Sequence, residues 1–211
     1  MAIERSLDNI LNTNSKVKII RLFTSRREDF LASGREIARL TGITPPAAHT
    51  ALKDLYNQDI LKRDIIGREH IYRLNANNRI VHDILKPAFK KEYFVKEDIF
   101  KFLKEKIKEK RIEGKIVSLV LYGSLQAGKT DEKSDVDIAI VTRNELAKKQ
   151  IERIFIEDIS YQFYEYFGAN LDSYIKTKDE FTKRLRKNQP PVSTMMRSYS
   201  VIYGKDLLGI K

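Results

Sequence analysis

Cysteine is absent from the 211-residue chain, which excludes disulfides, thiolate-zinc sites and cysteine nucleophiles in one step. Histidine is scarce and scattered, at His49, His70 and His82, so a histidine metal cluster is not expected either. No apolar run approaches the roughly 18–20 residues needed to cross a bilayer. The N-terminus also lacks a basic segment followed by an apolar one. These absences give the expectation of a cytoplasmic protein that does not engage a membrane. Internal repeats and low-complexity tracts are not evident. The length suits one large domain or two small ones, each able to bury a core.

Positive charge is what the chain has in surplus. Forty Lys and Arg against 29 Asp and Glu leave a formal charge of +11 and a pI near 9.6. Such a balance fits a polyanionic partner, either nucleic acid or nucleotide phosphate. A lysine-, glutamate- and isoleucine-rich composition that simply leaves a basic excess is the plainer alternative. Charge alone does not choose between them.

The first ninety or so residues carry a helix-turn-helix pattern. Asn14-Ser15 supplies an N-cap, and Val17, Ile20 and Phe23 then make an apolar stripe. Ser33 and Glu36 stand at capping-box spacing ahead of Ile37 and Leu40, and Thr41-Gly42 closes that helix after barely two turns. A third helix restarts at Thr44 with Pro45 in the first position and Ala48, Leu52 and Leu55 inward. This orientation turns Pro46, His49, Thr50 and Lys53 outward. Two strand-like runs follow, from Ile60 to Ile65 and from His70 to Leu74, joined around Gly67-Arg68 and carrying Lys62, Arg63, Arg68 and Arg73. The stretch from Gly34 to Asn75 resembles a winged helix-turn-helix domain of small microbial transcription regulators. That resemblance implies duplex DNA as a partner, those eight outward or basic residues as its contacts, and a two-fold homodimer. A winged helix that serves only protein interaction is the alternative.

Arg79 to Lys90 reads as an amphipathic helix through Ile80, Ile84 and Leu85 that Pro87 kinks or stops. A second amphipathic run extends from Val95 to Ile112 through Ile99, Phe102, Leu103 and Ile107. The expected division is residues 1–85 for the DNA-binding domain and 86–211 for a second domain.

The second domain is organised around Val117 to Val141. An apolar strand-like run ends at Gly123-Ser124. After a polar loop a second begins with Asp135 and Asp137, eleven residues beyond Ser124 at the nearer aspartate. Two residues apart on a strand, both carboxylates share a face. Like charges held that close call for a compensating cation, most simply a hard divalent ion with oxygen ligands. A helical run from Glu145 to Phe167, a strand candidate from Asn170 to Ile175 that contains Asp172, and a capped short helix from Thr177 to Arg186 complete an α/β pattern.

Hydrophobic strand, Gly-Ser, short loop, then Ser-Asp-Val-Asp-Ile resembles the signature of the nucleotidyltransferase superfamily that includes DNA polymerase beta, and its compact spacing is similar to that of the minimal nucleotidyltransferases. The match is close over residues 122–138 and looser to the C-terminus. The fold class expected is therefore α+β in two domains, a winged helix-turn-helix followed by a nucleotidyltransferase-type α/β domain with a small mixed sheet. The resemblance implies Mg²⁺ or Mn²⁺ held by Asp135, Asp137 and Asp172, with Asp172 as third ligand or base. It also implies a nucleoside triphosphate, ATP foremost, at Gly123, Ser124, Lys129 and Lys133. The reaction implied is transfer of a nucleoside monophosphate to a hydroxyl acceptor. Minimal nucleotidyltransferases resemble antitoxins of HEPN-type toxins, which makes such a protein a candidate partner. Many of them carry an arginine just before the loop glycine, whereas this chain has Ala127 before Gly128. That departure keeps a second reading open, a DNA-binding regulator whose second domain only binds nucleotide or a partner protein.

Overall fold

The computed structural model describes residues 6–128 and 135–210, and the chain divides into two compact units, Met1–Lys96 and Glu97–Lys211. Lys129 and Lys133 lie outside the described residues.

The first unit opens with α1 (Ser6–Ile10) and α2 (Asn14–Thr24). Thr13, one residue before the expected cap, takes the N-cap role, its hydroxyl accepting from the Lys16 N–H at 3.3 Å. Of the expected stripe, Ile20 and Phe23 are buried and Val17 only half-buried, while Ile19 and Leu22 complete the buried apolar face of α2. Lys16 is buried as well, at 4 % exposure. Its ammonium is satisfied by the Asn9 carbonyl at 2.8 Å, the Asn12 amide oxygen at 3.1 Å and the Asp54 carboxylate at 3.2 Å. A buried charge persists only with such partners.

Strand β1 (Ala32–Ser33) leads into α3 (Gly34–Thr41), and α4 (Pro45–Asn57) follows after Gly42 closes α3 in the left-handed region. Ser33 caps α3 by accepting from the Glu36 N–H at 3.4 Å. Ile37 and Ala38 are buried but Leu40 is 37 % exposed, so it falls outside the inner stripe assigned to it. Ala48, Ala51, Leu52 and Leu55 form the buried side of α4. Strands β2 (Leu61–Ile66) and β3 (Glu69–Leu74) pair antiparallel, with Ile66 opposite Glu69 across the Gly67-Arg68 turn, and β1 adds to the other edge of β3. Helix-turn-helix followed by this hairpin is winged helix-turn-helix architecture.

Pro87 does not end the next helix. A π-helical turn, Val81–Leu85, runs directly into α5 (Lys86–Tyr93), where Pro87 occupies a first-turn position. Proline lacks an N–H, and the π turn just ahead of it already departs from the i→i−4 ladder, the Lys86 N–H bonding the Val81 carbonyl five residues back. Helix α5 packs with the first unit. Arg21 grips Glu92 with two bonds of 2.8 Å and lies 5.6 Å over the Phe89 ring. These contacts carry the division to Lys96 and Glu97, beyond the boundary expected after residue 85.

The second unit contains, in order, α6 (Val95–Glu109, from Glu97 onward), β4 (Ile116–Leu121), α7 (Gly123–Ala127), β5 (Val136–Thr142), α8 (Glu145–Ile154), α9 (Ser160–Phe167), β6 (Leu171–Thr177), α10 (Lys178–Arg186), α11 (Val192–Met195) and β7 (Ser200–Gly204). A π-helical turn, Phe155–Ile159, joins α8 to α9. The sheet order is β6-β5-β4-β7, with β5 and β6 parallel and the other pairs antiparallel. It is a small mixed sheet, and β7 lies in the C-terminal stretch over which the family resemblance is looser. Val120, Ala139 and Val141 face Phe181, Val192 and Met195 of α10 and α11. Leu119, Leu121, Ile138 and Ile140 alternate with them and fill the opposite face. Phe102, Phe163, Phe167 and Tyr166 form an aromatic cluster on α6 and α9, with Phe163 and Phe167 centroids 4.6 Å apart. At α10 the capping box is complete: Thr177 accepts from the Glu180 N–H at 3.2 Å and donates its own N–H to the Glu180 carboxylate at 2.9 Å.

Candidate active site

The parallel pairing of β5 and β6 sets Asp137 directly opposite Asp172, one register step after Val136 and Leu171. Paired residues on adjacent strands point to the same face at a spacing of about 4.8 Å. The two carboxylates therefore stand side by side at the end of the sheet where α7 begins.

Gly123 makes this possible. It has φ +77°, and a Cβ built on it would sit 1.9 Å from Asp137 Oδ2 and 2.7 Å from its Cγ. The Asp137 carboxylate occupies the space a Cβ would fill and accepts a bond from the Ser124 N–H in the first turn of α7. The Tyr122 N–H holds the Asp137 carbonyl at 3.0 Å. Gln126 accepts from the Ser200 hydroxyl at 2.9 Å and ties α7 to β7.

Burial raises the Asp137 pKa above the ordinary aspartate value, the neighbouring Asp172 charge raises it further, the Ser124 N–H opposes, and Asp135 adds a smaller push upward. Tyr122 is pushed up to about 12, first by burial and then by Asp137, Asp172 and Tyr174. No cationic side chain among the described residues pairs with Asp137 or Asp172. The Tyr174 hydroxyl, two residues from Asp172 on the same face, is buried with no hydrogen-bond partner among them.

Asp135 is placed differently. It is exposed, and its Oδ1 accepts from Asn170 Nδ2 at 3.0 Å. Among the described residues no three acidic or histidine side chains are gathered closely enough to hold a metal ion. What the chain presents is a carboxylate pair, Asp137 and Asp172, with a third carboxylate beside it on an asparagine latch. The uncompensated charge and the oxygen-only donors fit a hard divalent cation. Asp137 and Asp172 would hold it, and Asp135 would join by turning away from Asn170.

Tyr122, Asn170 and Tyr174 enter the site without having been singled out in the sequence. Tyr122 closes the strand before Gly123, and that position was its only signal. Asn170 and Tyr174 flank Asp172, but the hydrogen bond and the buried hydroxyl emerge only once β5 and β6 pair.

In the first unit, Pro46, His49, Thr50 and Lys53 are exposed on α4. Among the wing residues, Lys62 is bound to Asp59 at 2.5 Å, Arg73 to Asp64 at 3.2 Å, and Arg63 lies 4.4 Å over the Tyr56 ring. Arg68 at the hairpin tip lines a groove of about 390 Å³ with Arg35, Pro45, His49 and His70. Arg35 and His70 thus join the face that sequence reading assigned to DNA.

The model of the family "Polymerase beta, Nucleotidyltransferase" matches residues 101–206. The chain belongs to this nucleotidyltransferase family. The matched span contains β4, α7, β5 and β6, and therefore Gly123, Ser124, Asp135, Asp137 and Asp172. A curated relative from Methanocaldococcus jannaschii, MJ1305, which its name assigns provisionally as a protein adenylyltransferase, is 28% identical over 92 residues, 43% of this chain. The chain spans 60% of that relative's length. Among solved structures, the homodimeric winged helix-turn-helix DNA-binding domain Mb0332 of Mycobacterium bovis aligns over 46% of this chain and 92% of its own, at 17% identity and TM-score 0.32. The adhesin competence repressor of Streptococcus pyogenes aligns over 54% and 89%, at 19% identity and TM-score 0.34. No helix among the described residues is long and apolar enough to cross a membrane.

Proposed function

We propose that this nucleotidyltransferase is a Mg²⁺-dependent enzyme that moves AMP from ATP to a hydroxyl acceptor, and that its winged helix-turn-helix domain binds duplex DNA as a homodimer in the cytoplasm. The observation that carries the catalytic half is the register of Asp137 with Asp172, uncompensated and tucked against the first turn of α7. The relative named as a protein adenylyltransferase supports AMP as the group transferred.

In this reading the acceptor oxygen attacks the α-phosphorus. The new O–P bond forms as the bond from that phosphorus to the pyrophosphate oxygen breaks, and the acceptor proton passes to Asp172. A divalent cation, when bound, neutralises charge building on the phosphate oxygens. Asp137, fixed by the Ser124 N–H, holds its orientation at the start of β5, and Lys129 and Lys133, outside the described residues, are the side chains proposed to offer positive charge to the phosphates. The protein's contribution is positioning and electrostatics. Exposed α4 residues and Arg68 would meet the duplex, and a HEPN-type protein is the acceptor or partner to try first.

The competing reading, a DNA-binding regulator whose second domain only binds nucleotide or a partner protein, is favoured by one observation: among the described residues Asp135 is engaged by Asn170 and no three acids converge. Pyrophosphate release separates the two readings. The chain incubated with ATP, Mg²⁺ and the protein encoded beside it should release pyrophosphate in proportion to modified acceptor, and Asp172→Asn should lower the rate by 10²-fold or more, roughly the loss of a general base. Nucleotide binding with no release in either protein would establish the regulator instead.

A further inference from the structure

The first unit holds a second cavity, of about 300 Å³, between the end of α2, the loop after it, the end of β3 and α5. That volume is at the lower end of the range for small-molecule sites. The cavity shares no lining residue with the groove beside α4.

Phe23 and Leu74, both buried, line its apolar inner wall. Phe30 meets Phe23 edge-on with centroids 5.5 Å apart. Tyr93 and Phe94 form a second edge-on pair at 5.3 Å, yet remain 69% and 39% exposed. Aromatic rings left open beside a cavity offer faces on which a flat ligand can stack. The cationic lining residues are Arg26, Arg27, Lys86 and Lys90, and the acidic one is Glu28. Lys86 is bound to Glu28 at 2.5 Å. Arg27 approaches Asp29 at 3.8 Å. Arg26 and Lys90 have no acidic partner among the described residues, and the Arg26 guanidinium lies 5.7 Å over the Phe30 ring. Unpaired cations next to open rings make a site for one chemistry, a flat ring with a negative charge attached.

We propose that this cavity binds a small molecule in which a planar aromatic ring carries an anionic group, the ring lying among Phe30, Tyr93 and Phe94 and the anion on Arg26 and Lys90. A nucleoside monophosphate and an aromatic carboxylate both meet that description. The site is separate from the carboxylate pair, and its occupancy needs no divalent metal.

The test is a calorimetric titration of the full chain in EDTA with AMP, and separately with 1-naphthoate. The expected result is one-to-one binding of at least one probe at millimolar concentration or below. AMP alone identifies a nucleotide site, naphthoate alone an aromatic-acid site, and both together the shared chemistry. An Arg26→Glu, Lys90→Glu double variant should weaken binding by about tenfold or more, the loss of charge-assisted contacts. Tyr93→Ala, at an exposed position, should weaken it about fivefold through lost stacking. Circular dichroism establishes that the variants are folded. Failure of both probes to bind, or binding unchanged in both cavity variants, would overturn the proposal.

Discussion

At Gly123 two constraints meet: a backbone at φ +77° and a carboxylate where a Cβ would otherwise be. Gly123→Ala should therefore cost at least ~1 kcal/mol of stability from the backbone alone and displace Asp137. Thermal unfolding and Mn²⁺ calorimetry should show both losses together. The raised Asp137 pKa sets a pH dependence. The folded state holds this proton more tightly than the unfolded chain, so the penalty grows as pH rises from the ordinary aspartate value through the raised one and is complete above it. Asp137→Asn should therefore raise the melting temperature at neutral pH, with the advantage vanishing as pH falls through that window. Added Mg²⁺ should stabilise the unaltered chain and not the variant. Asn170 competes with a metal for Asp135. Its replacement by Ala removes a hydrogen bond worth ~1 kcal/mol and should tighten Mn²⁺ binding by about fivefold; unchanged or weaker binding would show that Asn170 orients Asp135 instead.

Among the elements, α9 contributes an aromatic cluster to the second unit. Phe163 is fully buried against Phe102 and Phe167, so Phe163→Ala should cost ~3–5 kcal/mol in urea unfolding. In the first unit, Arg68 lines the α4 groove, whereas Lys62 and Arg73 are engaged by Asp59 and Asp64. If duplex DNA binds there, Arg68→Ala should reduce the slope of log affinity against log salt by about one. Lys62→Ala should change it less. Much of the fold was legible in local patterns: caps at Ser33 and Thr177, proline at the start of α4, strands of continuous apolar residues at β4 and β5. What was not legible depended on tertiary partners. The π-helical turn ahead of Pro87 and the docking of α5 through Arg21 and Glu92 required contacts distant in sequence. The paired aspartates show the same division. Asp135 and Asp137 announced themselves by spacing, but which of them faces Asp172 was decided by the parallel register of β6, and Asn170 drew the other aside.

At the scale of the whole molecule, a family of group-transfer enzymes contributes one unit and a winged helix-turn-helix the other, under a net charge of +11. Asp137 and Asp172 are the proposed centre of adenylyl transfer, so the most direct measurement follows the phosphorus. Incubate the chain and its acceptor with Mg²⁺ and ATP labelled either at the α- or at the γ-phosphorus. Label on the acceptor from the α-position only, lost in Asp137→Asn and Asp172→Asn, is the predicted result. Label from the γ-position, or α-label that persists in both variants, would contradict it.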